Sequence, residues 1–209
     1  MREINLFNAA IVNQPDTNYF LIADELIKKI YTLYGSPPNW SRPEGFATLV
    51  KIILEQQVSL QSANAHFNKL NACLPTFTPE EILKLSNEQM RLCQISRQKS
   101  NYLRELAMAI VENKLNLDRL SGFPYEEVRR QLKNIKGIGD WTADIYLMFC
   151  LQAKDIFPAG DIAVINTIKE LTDVVSKDKI LEYAEKWRPY RSLATFFLWH
   201  YYLSKRNRY

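Results

Sequence analysis

Apolar residues step through this chain by threes and fours, and that spacing limits its fold more than any other feature. Residues at i, i+3, i+4 and i+7 share one helix face, whereas a half-buried strand needs alternation. From Asp16 the series Tyr19, Ala23, Leu26, Ile30 and Leu33 predicts one helix, stopped by Gly35. Pro43 suits the first turn of a second helix, with Phe46, Val50, Ile53 and Leu54 on its stripe and Gln56 and Gln57 at its end. Ser59 can cap a third helix carrying Ala63, Phe67 and Leu70, while Thr78-Pro-Glu-Glu81 and Ser86-Asn-Glu-Gln89 have capping-box spacing. Tyr102, Leu106 and Ile110 mark the inner face of a longer helix, and Pro124 opens another through Val128 and Leu132. Only six glycines occur in 209 residues, against a 47% hydrophobic share. Such a chain can bury a core but makes little provision for the turns of an all-β fold, so a nearly all-α protein is expected.

Charge and cysteines narrow the function without fixing it. The balance of 27 Lys and Arg against 23 Asp and Glu, net +4, permits an anionic partner. Cys73, Cys93 and Cys150 are odd in number and widely spaced, with no second Cys or His at metal-ligand spacing. Neither a disulfide framework nor an iron–sulfur or zinc site is suggested, and no metal or cofactor is expected. His66 and His200 are too isolated to suggest metal or nucleophilic chemistry. No window approaches a membrane span and the first residues lack an apolar signal core, so a soluble, cytoplasmic protein is expected.

Three of the six glycines, Gly137, Gly139 and Gly160, fall within one 24-residue window. Leu132-Lys-Asn-Ile-Lys-Gly-Ile-Gly-Asp-Trp-Thr-Ala143 reads as helix, Gly-x-Gly hairpin and second helix from about Asp140, with Ile135 and Ile138 plugging the turn inward. Unpaired N–H groups of such a hairpin and of the following first turn form an anion site suited to a phosphodiester. A tight corner that merely packs two helices has the same local pattern. Farther on, Phe157-Pro-Ala-Gly-Asp161 places Asp161 at the N-cap of a helix marked by Ile162, Ile165 and Ile168. The helix N-terminus favours the ionised carboxylate.

The hairpin, together with this second Gly/Pro-containing loop ending in Asp, resembles the paired motif of the HhH-GPD superfamily of DNA glycosylases. Ile53-Leu-Glu-Gln-Gln-Val-Ser59, Trp141-Thr-Ala143 and Trp187-Arg-Pro-Tyr-Arg-Ser-Leu-Ala194 with Trp199 are similar to its 3-methyladenine DNA glycosylase II branch. The resemblance runs from about Asp16 onward. It implies two helical lobes around a central cleft, with residues 1–209 as a single catalytic unit, 1–15 as an N-terminal extension and the helix–hairpin–helix at about 124–152. The β-rich N-terminal domain of some members of the branch has no expected counterpart.

By this resemblance Asp161 is the catalytic carboxylate, stabilising oxocarbenium character on the sugar and orienting or deprotonating the attacking water. Its plainer role, a helix cap, is compatible with that. Trp141 occupies the position at which bifunctional relatives such as endonuclease III carry a Schiff-base lysine, so no strand cleavage is expected. Trp141, Trp199 and Ile145 are the implied base-pocket positions, where indole faces would favour a cationic alkylpurine by roughly 0.5–2 kcal/mol per contact. Ile145 replaces an aromatic wall with an aliphatic one. Core packing would account for Trp199 as well, since Phe196, Trp199 and Tyr202 share a helical stripe. Gln57 aligns with the wedge that fills the space of a flipped nucleotide, although Gln56-Gln57 could simply end an exposed helix. Lys136, Gly137, Ile138, Gly139 and Thr142 complete the implied DNA contacts, and Lys133 is read as phosphate-facing. Asp140, Asp144 and Asp155 are read as a cap and solvated helix or loop residues.

The implied function is excision of alkylated purines from duplex DNA by a monomeric, monofunctional glycosylase. A glycosylase for mismatched or deaminated bases and a non-catalytic helix–hairpin–helix DNA-binding module are the alternatives, the latter leaving Asp161 without a task.

Overall fold

The computed structural model describes residues 10–207. Residues 1–9, most of the expected N-terminal extension, lie outside the described residues. Within them the chain forms twelve α-helices and one 3-10 helix, with no strand. Two compact units result: the contiguous Arg42–Tyr146, and a split unit made of Met1–Ser41 with Leu147–Tyr209.

In the contiguous unit, α3 (Phe46–Glu55) is apolar almost all round. Leu49, Val50, Ile52, Ile53 and Leu54 are fully buried, as a helix without a polar face requires. It starts after Gly45 and not at Pro43, because the Thr48 hydroxyl donates to the Pro43 carbonyl and Gly45 takes φ +116°. Around it lie α4 (Leu60–Ala72), α5 (Pro79–Lys84), α6 (Asn87–Leu92) and α7 (Arg97–Val111), and α7 packs on α3, α5 and α6. Lys99 on α7 donates to the Leu54 carbonyl at 2.7 Å, placing a cation at the C-terminal end of α3. Ser59 caps α4 as the sequence suggests. The capping box of Ser86 closes reciprocally with Gln89, whereas that of Thr78 is one-sided because Glu81 pairs with Lys84 at 2.6 Å. A 3-10 helix (Leu117–Gly122) and α8 (Tyr125–Lys133) lead to α9 (Asp140–Phe149).

The split unit corrects one expectation. Instead of a single helix from Asp16, there are two, α1 (Gln14–Ala23) and α2 (Glu25–Tyr34). Asp24 breaks the run: its backbone is extended and its Oδ1 accepts the Ile27 N–H at 3.0 Å. Its Oδ2 accepts from the Trp187 indole and from Lys186, both at 2.9 Å. A carboxylate with tertiary partners thus ends a helix that apolar spacing alone would continue. The unit is completed by α10 (Ile162–Leu171), α11 (Lys177–Glu185) and α12 (Arg191–Ser204), with α12 packed on both α2 and α10. Asp155 is not simply solvated, since Arg191 donates to it at 2.8 Å and Arg188 at 2.7 Å.

Candidate active site

The hairpin joining α8 and α9 has the form the sequence predicts, and each glycine has a different reason to be there. Gly137 takes φ +97°, and a Cβ on it would lie 2.2 Å from Cγ of Tyr102. Only glycine combines that left-handed backbone with so close an approach. Gly139 needs neither: a Cβ there would meet nothing within 4 Å, and its carbonyl accepts the Ala143 N–H at 3.1 Å to start α9. Ile135 and Ile138 are buried, holding the turn from inside, while Lys136 between them is exposed. Lys133 is not an unpaired phosphate-facing charge, because it closes the hairpin on Asp140 at 2.5 Å. Among the described residues Lys136 has no ion pair.

Sequence reasoning passed over Gln56. Its side-chain amide donates to the Gly137 carbonyl and to the Thr142 hydroxyl, both at 2.9 Å, and so ties the end of α3 to the hairpin. Thr142 is buried and supports the hairpin from within. Gln57 is exposed, with φ +57° on a non-glycine residue. Such backbones cost about 1–3 kcal/mol and concentrate at functional sites. Trp141 is half-buried on the first turn of α9, Ile145 is buried one turn later, and the Tyr146 hydroxyl accepts the Gly45 N–H at 3.2 Å.

Asp144 corrects the reading of a solvated acid. It is buried, and Arg129 of α8 is ion-paired with it, which locks the two hairpin helices together. Burial pushes its carboxyl up to about 6 against the downward pull of the guanidinium.

In the split unit, Asp161 is the N-cap of α10, as predicted. Its Oδ1 accepts the Val164 N–H at 3.0 Å and the Trp199 indole N–H at 3.1 Å. The carboxylate is buried at a helix N-terminus with an aromatic donor fixed on it. Trp199 itself is buried among rings, with its centroid 5.6 Å from Phe149, 5.8 Å from Phe196 and 6.2 Å from Trp40. Trp40 was also missed. It follows Ser-Pro-Pro-Asn, a composition typical of loops, and its ring meets Phe196 edge-on at 5.2 Å. Of the predicted positions, Asp161 and Trp199 are therefore in direct contact within the split unit. Gln57, Lys136, Gly137, Ile138, Gly139, Trp141, Thr142 and Ile145 all belong to the contiguous unit.

Among the described residues, no three His, Cys, Asp or Glu side chains are grouped as metal ligands would be, and no helix is long and apolar enough to cross a membrane.

An all-helical chain in which a glycine hairpin opens one helix and a buried, indole-bonded Asp opens the next carries both of the loops on which its sequence resembles a DNA glycosylase superfamily. The chain is a member of the HhH-GPD superfamily of base excision DNA repair proteins, whose sequence pattern matches residues 50–189. It is 34% identical to DNA-3-methyladenine glycosylase 1 of Schizosaccharomyces pombe, across 84% of this chain and 82% of that one. A solved structure of the Schizosaccharomyces pombe 3-methyladenine DNA glycosylase in complex with abasic DNA superposes with a TM-score of 0.82, covering 92% of this chain and 97% of that one at 28% identity. DNA-3-methyladenine glycosidase from Bacillus halodurans gives 0.75 at 27% identity, with 94% and 93% covered. Against a DNA-3-methyladenine glycosylase of Bacillus subtilis, 32% identical, the chain spans 41% of the relative's length.

Proposed function

We propose that this protein is a monofunctional DNA glycosylase that removes alkylated purines, of the 3-methyladenine and 7-methylguanine type, from duplex DNA in base excision repair. The observation that carries the proposal is Asp161: a carboxylate buried at the N-terminus of α10 and held by the Val164 N–H and the Trp199 indole. Alkylation at N3 or N7 gives the purine a positive charge and weakens its glycosidic bond, so the leaving group needs little acid assistance. The remaining barrier lies in the cationic sugar. A fixed anion stabilises that cation and orients or deprotonates the water that adds to C1′.

On this reading the backbone N–H groups at Gly137 and Gly139, with Lys136, hold a phosphate without reading sequence, while Ile138, buried and with its N–H donated to the Ile135 carbonyl at 3.0 Å, shapes the hairpin and does not itself touch the phosphate. Thr142 acts through the hairpin, which Gln56 fixes to it. Gln57, set in a left-handed backbone at the end of α3, is the wedge that enters the duplex when the target base flips out. Trp141, Trp199 and Ile145 contact the flipped base, the indole faces favouring its positive charge. Residues 1–209 then act as a single catalytic unit on duplex DNA, as a monomer, in the cytoplasm and without a cofactor.

No Schiff-base step enters. Trp141 has no nucleophilic amine, and Lys154 is held by Asp16 at 2.9 Å. The test is to incubate the protein with methylated DNA and identify the released bases by chromatography. Free 3-methyladenine and 7-methylguanine are expected, with strands that break only after hot alkali and no borohydride-trapped adduct. Failure to release any base would overturn the proposal, and a trapped adduct would overturn its monofunctional part.

A further inference from the structure

Cys73 and Cys93 are 20 residues apart in sequence, yet their sulfurs lie 3.4 Å from each other. Cys73 is the C-cap of α4 and exposed; Cys93 is the C-cap of α6 and buried. Both are reduced, so the structure holds two thiols in contact and oriented sulfur to sulfur. We propose that Cys73 and Cys93 form a reversible dithiol–disulfide site that reacts with small-molecule disulfides, Cys73 attacking and Cys93 resolving. Nothing in the glycosylase reaction uses either residue.

The division of labour follows from the geometry. Of the two, only Cys73 is open to a bulky disulfide, and Cys93 Sγ lies directly behind it, 3.4 Å from its sulfur and in position to resolve a mixed disulfide formed there. In the first step the Cys73 thiolate attacks one sulfur of RSSR, forming a mixed disulfide and expelling RS⁻. In the second, the Cys93 thiol gives its proton to solvent. Its thiolate then attacks Cys73 Sγ, closing the intramolecular bond and expelling the second RS⁻. Two protein thiols are oxidised by two electrons while RSSR becomes two RSH. Burial, and then the bond to Cys73, push the free Cys93 thiol up, so its thiolate is scarce at neutral pH and closure speeds up as the pH rises. The product staples the C-terminal ends of α4 and α6, both within the contiguous unit.

The experiment treats the intact protein with excess oxidised glutathione, counts thiols after denaturation and maps disulfides by peptide mass. Expected is a fall from the three cysteine thiols to one, the mass of two hydrogens lost, a cross-linked peptide pair containing residues 73 and 93, and full reversal by dithiothreitol. Cys93→Ser should stop at a stable glutathione adduct on Cys73, and Cys73→Ser should leave residue 93 unreacted while the protein stays folded by circular dichroism. A persistent adduct on the unmodified protein, a bond involving Cys150, a dimer, or no reaction at all at pH 8.5 would each overturn the proposal.

Discussion

The junctions that open α9 and α10 do the same structural job by different means. The first is shaped by backbone: Gly137 takes a left-handed conformation, and the nearby acid, Asp144, has its charge taken up by Arg129 inside the helix pair. The second is shaped by a side chain: Gly160 has no left-handed φ and open space around it, and Asp161 itself closes the turn by capping α10. Rigidity at the first junction therefore rests on a glycine and an internal ion pair, and at the second on the carboxylate assigned to chemistry. Two buried aspartates in one protein should then fail in opposite ways when neutralised.

The largest effect tests that opposition directly. Asp161→Asn should lower base release from methylated DNA by ~10³-fold or more with little loss of stability, since Asn is also a good N-cap. Asp144→Asn should leave release within about threefold, because an acid buried between α8 and α9 and paired with Arg129 faces no developing charge. Equal losses in the two variants would erase the distinction.

Next come the glycines. Gly137→Ala adds both left-handed strain and a clash with Tyr102, and should destabilise the fold by about 2–5 kcal/mol in denaturant titration. Gly160→Ala should stay within about 1 kcal/mol of the parent protein. Gly139→Ala should also fold normally but weaken binding to every DNA sequence alike if a phosphate approaches there. Loss for one sequence only would contradict a backbone clamp.

The third test is pH. The Asp144 carboxyl sits at about 6 when folded, above the ordinary aspartate value of about 3.9 that it regains on unfolding. The folded state thus holds this proton more tightly. Its stabilising contribution is complete below about pH 4 and is lost as pH rises through 6, by of the order of 2 kcal/mol. The difference in unfolding free energy between the parent and Asp144→Asn, followed from pH 4 to 7, should change by that amount and in that direction. A flat difference would mean the pair is not desolvated as described.

The smallest effect concerns Trp199→Phe, which keeps a ring among Trp40, Phe149 and Phe196 but removes the indole donor on Asp161. A drop of about tenfold in kcat with little change in KM is expected if that bond holds the carboxylate in position.

How far the sequence exposed all this depends on whether the information was local. Gly-x-Gly followed by a helix, and Pro-Ala-Gly before a capping Asp, are short-range patterns whose geometry the chain fixes within a few residues. Nothing local marks Asp24 as the end of a helix, because its Trp187 and Lys186 partners are far away in sequence. Gln56 escaped for the same reason, with its two acceptors at Gly137 and Thr142. Asp144 offered a usable signal: it is embedded in Ala-Asp-Ile-Tyr-Leu-Met-Phe, apolar on every face, so an acid there must be buried and paired. Trp40 gave only the weak hint of a large ring in a loop.

The split unit also dictates an order of assembly. Residues 42–146 can collapse once they have cleared the ribosome, whereas α1 and α2 emerge first with only each other to pack on, and α2 must wait for α12, made after that whole intervening stretch, before it finds its second partner. During translation the amphipathic α2 is a stranded segment with Leu26, Ile27 and Ile30 still exposed to solvent, all of them buried in the finished fold. Nascent chains halted just after residue 146 has cleared the ribosome, with α12 not yet out, should accordingly resist protease across the contiguous unit while being cut within α1 and α2, the hazard a chaperone would meet.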